Sequence, residues 1–143
     1  MAIKTIRADH YRIPLPVVLS DSTHGEIPAF EIISARVTDE DELEGVGYTY
    51  TVGRGGDAIR SLIAREMTPD LIGQDPARIE AIWKMLWWRH HYVGRGGLLA
   101  HAISAVDIAL WDLKGKRLGE PLWRLLGGAD PKVKAYAGGI DLD

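Results

Sequence analysis

The stretch AISAVDIALWDLKGKRLGEPLWRLLG, residues 102–127, decides how the rest of the chain is read. Together with Leu99 just before it, Ile103, Val106, Leu110 and Leu113 recur at spacings of four, three, four and three. That is one apolar stripe at helical period. Ala102, Ala105 and Ala109 flank the stripe and leave little side chain between this helix and whatever packs on it. Lys114, Lys116 and Arg117 suit the carbonyl end of a helix dipole. Gly119 fits the residue just past a helix end, and Pro121 fits the first turn of a second, shorter helix carrying Leu122, Leu125 and Leu126.

Period alone does not require Asp107 and Asp112 in the helix, nor the Pro-Leu-x-x-Leu-Leu-Gly that follows it. Ala102, Ser104, Ala105, Asp107, Ala109, Leu110, Asp112, Leu113, Gly115 and Lys116, then Pro121, Leu122, Leu125, Leu126 and Gly127, fill every fixed slot of a known signature without a gap. The chain thereby resembles the mandelate racemase and muconate lactonizing enzyme family of the enolase superfamily.

Upstream of the signature, residues 3–13 read as a strand that Pro14 and Pro16 end, and residues 17–29 as a long loop. Residues 30–38 and 44–50 read as two strands joined by the acidic turn Asp39-Glu40-Asp41-Glu42, so that the three strands form an antiparallel meander. A glycine-rich loop at 51–56 precedes a helix over 57–66, broken by Thr68-Pro69-Asp70. A further helix is expected from Asp75-Pro76 to about His91, with Ile79, Ile82, Trp83, Leu86 and Trp87 on one side. Residues 132–140 read as a last strand. Strands first and helices after is the α+β pattern.

Bulk composition narrows the function classes. A formal charge of −3 argues against a nucleic-acid or anionic-membrane surface. Zero cysteines exclude a disulfide framework or thiolate metal site and fit a cytoplasmic protein. The N-terminus has no apolar signal-peptide core, and no apolar run approaches the roughly 20 residues of a membrane helix.

Several constellations invite chemistry and are weak on inspection. Gly53-Arg54-Gly55-Gly56-Asp57-Ala58 fits a loose phosphate-loop spacing but lacks the second strand and acidic residue of a dinucleotide site. Gly94-Arg95-Gly96-Gly97 follows a helix and is weaker still. His90, His91 and His101 lack the carboxylates at helical spacing that a metal site would use, so no metal site is expected within this chain. Asp107 and Asp112 lie about 140° apart around a helix and cannot share a proton. Asp112 can instead pair with Lys116, and Asp107 can cap or tie a neighbouring segment.

The family resemblance implies more than the residues do alone. It implies a capping domain over residues 1–128 and, from 129 to 143, the first strand of a modified TIM barrel. A barrel needs at least about 200 residues, so the barrel is expected outside this sequence. The implied reaction abstracts the proton α to a carboxylate, with a Lys or His base and Mg²⁺ on the barrel. No catalytic residue is then expected here. Two loops would close on a small carboxylic acid: Ser20 to Ile27, with Thr23 and His24, and Tyr48 to Gly56, with Tyr50 and Arg54. Their hydrophilic character favours an acid-sugar dehydratase, ahead of a racemase, epimerase or muconate-type cycloisomerase. The implied partners are the chain's own barrel and further copies in a homo-oligomer. The rival reading is a non-catalytic interaction module using the face around Trp83 and Trp87.

Overall fold

The computed structural model describes residues 1–128 and 130–135. Three strands form an antiparallel sheet in the order β1 (Ile3–Asp21), β2 (Gly25–Asp39), β3 (Glu44–Thr51). Helices follow: α1 (Gly56–Ser61), a π-helical turn (Leu62–Met67), α2 (Thr68–Leu71), α3 (Ile79–Arg89), α4 (Leu98–Leu118) and α5 (Leu122–Leu125), with a 3₁₀ turn at His91–Val93. The expected α+β meander-then-helices architecture is present.

Alternation along β2 sets the two sides of the sheet. Ile27, Ala29, Ile33, Ala35 and Val37 are buried, and Ile33, Ala35 and Val37 join the main core. They meet Leu99, Ile103, Val106, Leu110 and Leu113, the stripe of α4. The approach is very close along β3. A Cβ at Gly45 would collide with the Ala109 carbonyl, and one at Gly47 with the Ala105 carbonyl. Glycine on the strand and alanine on the helix therefore allow backbone to meet backbone. Asp112 completes the seam: its Oδ2 accepts the Val46 N–H at 2.7 Å and lies 2.7 Å from Lys116 Nζ.

The end of α4 is stopped as expected. Gly119 is left-handed at φ 63°, and the Gly119 and Glu120 N–H groups return to the Lys116 and Gly115 carbonyls. Arg117 reaches the fully buried Asp39, and its Nη1 lies 3.0 Å from Asp41. Asp39 also accepts the Asp41 and Leu43 N–H groups, at 3.0 and 3.1 Å, which closes the β2–β3 turn.

Four expectations are corrected. Residues 17–29 are not a long loop: β1 and β2 continue as a two-stranded arm beyond Pro14↔Ala29, with Leu19↔Ile27 and Asp21↔Gly25 still in register. The irregularity between Pro14 and Leu19 absorbs Pro16 on an edge strand, where no ladder hydrogen bond is lost. Thr68-Pro69-Asp70 does not break the helix. The π turn before it carries the Thr68 N–H to the Ile63 carbonyl, and the Thr68 hydroxyl donates to the same oxygen at 2.8 Å. The next helix starts at Ile79 rather than Asp75-Pro76, because Asp75 caps a turn by accepting the Ala77 N–H at 3.0 Å. It ends at Arg89 rather than His91. The strand expected over 132–140 lies largely outside the described residues; residues 132–135 have no regular secondary structure.

Candidate functional site

The β1–β2 turn and the β3–α1 loop lie side by side and bound two adjoining clefts. The first, of about 530 Å³, is lined by Arg12, His24, Glu26 and Ile27 on the arm and Val52, Gly53 and Arg54 on the loop. The second, of about 490 Å³, is lined by His24, Tyr50, Val52 and Arg54, with Gly97, Leu98 and His101 from the start of α4. Three of the expected loop residues, His24, Tyr50 and Arg54, thus share one cleft. Thr23 lines neither and serves the turn through its backbone.

Asp21, which sequence reading passed over, builds that turn. Its Oδ1 accepts the Thr23 and His24 N–H groups at 2.8 and 2.6 Å, and its Oδ2 accepts His24 Nδ1–H at 2.7 Å. The His24 backbone N–H, then its imidazole, hold the Asp21 carboxyl below its ordinary range, against the opposing effect of burial. A carboxylate only accepts, so Nδ1 carries the proton and Nε2 is left to meet a ligand. The signal was present in Asp-Ser-Thr-His-Gly, an acidic residue whose side chain can accept from two and three positions on.

His101, which has no carboxylate at metal-site spacing, lines the second cleft. Its Nδ1 is in hydrogen-bond contact with the hydroxyl of the buried Thr49, at 2.9 Å. Among the described residues no three His, Asp or Glu side chains converge on a point where they could hold a metal ion.

The phosphate-loop spacing at Gly53–Ala58 is answered within the chain. Glu31, on the inner side of β2, accepts the Gly56 N–H at 3.0 Å and the Thr51 hydroxyl at 2.6 Å. The Thr51 hydroxyl is the main influence that holds Glu31 below its usual range; burial opposes it, and the Gly56 N–H and His10 assist. His10 Nε2 lies 3.2 Å from Glu31 without hydrogen-bond alignment, and its Nδ1 lies 3.4 Å from Asp57. A side-chain carboxylate thus stands where an external phosphate would sit.

The signature residues divide by role. Ala102 and Ala109 are buried in the core and Asp112–Lys116 ties α4 to β3. Ser104 and Asp107 flank a small hollow of about 180 Å³ beside Trp83 and Trp87, whose rings stack at 5.1 Å. Asp107 has no hydrogen-bond partner among the described residues; burial, then the charge of Glu80, push its carboxyl up.

A three-stranded meander whose sheet is backed by one long helix, with two loops gathered at one end, defines the class: the N-terminal domain of an enolase-superfamily protein. Residues 2–127 match the sequence profile of the mandelate racemase / muconate lactonizing enzyme N-terminal domain, and the chain belongs to that family. It is 55% identical over 141 residues to a 3,6-anhydro-alpha-L-galactonate cycloisomerase of Streptomyces coelicolor, covering 99% of this chain and 39% of that protein. A crystal structure of a racemase from Streptomyces coelicolor with bound magnesium superposes with a TM-score of 0.95 at 56% identity, over 98% of this chain and 39% of that one. The L-talarate/galactarate dehydratase of Salmonella typhimurium, liganded with Mg and L-lyxarohydroxamate, gives 0.83 at 36% identity, over 90% of this chain and 33% of that one. The chain spans less than two-fifths of the length of these relatives.

Proposed function

We propose that this chain is the substrate-capping and specificity domain of an enzyme that abstracts the proton α to the carboxylate of an acid sugar. Residues 1–128 form the cap, and 129–143 lead into a C-terminal barrel that supplies the base and holds Mg²⁺. The described residues offer no ligand set for the metal; bound to the barrel, it would stabilise the charge that develops on the substrate carboxylate. The task of this chain is to cover the substrate, exclude water and contact its polar groups.

The observation that carries this reading is the meeting of His24 from the β1–β2 turn, Tyr50 from the end of β3 and Arg54 from the β3–α1 loop in one cleft. Arg54 offers a planar fork of donors to a carboxylate, and His24 and Tyr50 suit sugar hydroxyls. The 55% identity to a cycloisomerase of an anhydro sugar acid favours cycloisomerisation, and the similarity to an acid-sugar dehydratase supports dehydration as the second reading. Lack of cysteine suits a cytoplasmic location. The exposed indoles of Trp83 and Trp88, at 39% and 55%, suit subunit contact in a homo-oligomer.

The test is kinetic. In the full-length enzyme, with Mg²⁺ and a panel of sugar acids, His24→Ala and Arg54→Ala are each expected to lower kcat/KM about tenfold or more. Unchanged kinetics in both variants would remove the capping role from these loops.

A further inference from the structure

His101 stands on the first turn of α4, away from the two loops, yet it shares their cleft. Among the described residues, the polar side chains that line it include two imidazoles, a guanidinium and a phenol, from His24, His101, Arg54 and Tyr50, and no carboxylate. The first cleft, in contrast, carries Glu26. A space with cation-forming and hydrogen-donating groups and no acid suits an oxyanion, or a hydroxyl-rich segment next to one. Both imidazoles are held in the same manner: Asp21 ties Nδ1 of His24, and Thr49 ties Nδ1 of His101. In each ring Nε2 is the nitrogen left for a ligand.

We infer that His101 is a specificity-determining residue of this site, positioned by Thr49, and that its imidazole contacts the oxygen-rich end of the substrate opposite Arg54. The inference rests on the acid-sugar reading above and extends the site from two loops to the start of the signature helix. Thr49 is the positioning residue. It is buried on β3, two residues before the end of the strand, so the strand that carries Tyr50 and leads to Arg54 also fixes the ring of His101. The relative placement of all these groups is set by the seam where Gly45 and Gly47 of β3 meet α4.

The experiment uses the full-length enzyme and measures kcat and KM separately for an acid sugar and for a shorter 2-hydroxy acid lacking the distal hydroxyls. His101→Leu is expected to raise KM for the acid sugar about tenfold, with kcat changed less and the short acid unaffected. His101→Gln, which keeps an N–H donor, is expected to recover most of the loss, a result that a purely structural role would not give. Thr49→Val, which frees the ring without removing it, is expected to raise KM by a smaller factor. It decides the matter should His101→Leu lose its thermal transition. Equal KM for wild type and all three variants, with the wild type active on acid sugars, overturns the role of His101 and leaves the acid-sugar reading standing. A wild type inactive on every acid sugar overturns both.

Discussion

Asp39, at the end of β2 beneath the signature helix, and Asp107, on that helix, are carboxylates whose surroundings push them in opposite directions. Asp39 lies fully buried under the end of α4. Burial alone would raise its pKa, but the Arg117 guanidinium and the Leu43 and Asp41 N–H groups outweigh it, so the carboxyl titrates below the usual range. Removing Arg117 would leave that charge with backbone donors only. Arg117→Ala is expected to lower stability at pH 7 in denaturant unfolding, by less than the loss of a wholly buried pair because Arg117 is about one-third exposed. The difference should shrink below about pH 4, the ordinary carboxylate value: a depressed carboxyl contributes stability above that pH and loses it as the pH falls through the folded value. Asp107 reverses the sign. Its charge is disfavoured by burial and by Glu80, so the folded state is penalised at neutral pH. Asp107→Asn is expected to raise the thermal midpoint at pH 7 and to lose that advantage near pH 3, where the wild-type group is already protonated. A lower midpoint at pH 7 would mean that the carboxylate has a partner in the intact protein.

Among the elements, α4 and β3 form the contact on which the fold depends most closely. Gly47→Ala would drive a Cβ into the Ala105 carbonyl, which is backbone and cannot turn aside. The expected loss is at least about 2 kcal/mol, read by denaturant unfolding; an unchanged midpoint would mean that the helix can slide away from the strand. The helix itself was legible in the sequence, since its stripe, its basic end, Gly119 and Pro121 all point to the same boundaries. The arm was not. Pro14, Pro16 and Pro28 and the run from Ser20 to Gly25 carry the local chemistry of a loop. They become a ribbon because β1 has one free edge and β2 lacks a β3 neighbour before Glu31, and Pro16 and Pro28 fall where the ladder has no registered pair. The site shows the same division. His24, Tyr50 and Arg54 could be named from the ends of the strands and their loops, whereas His101 was hidden because it reaches the cleft only through the packing of α4 on β3.

For the whole molecule, the design is a rigid body with one slender extension. β2 is paired on both sides from Glu31 to Thr38, while the arm beyond Ala29 has at most one partner at each position and an interrupted register. Amide hydrogen exchange should therefore be slowest in residues 32–37 and in the middle of α4, and markedly faster in residues 15–28. Equal protection across the sheet would show that the arm is clamped by something else in the intact protein. None of the chain's helices among the described residues is long and apolar enough to cross a membrane. The family carries different reactions on long, similar chains, and the arm offers one physical reason. Its tip is folded locally by Asp21, and none of residues 20–25 belongs to the core cluster, so they can be exchanged for another sequence without asking the core to repack. On the capping role proposed above, selectivity for a new acid is then transplantable as a cassette, one hairpin tip at a time, while the body that carries it is inherited intact.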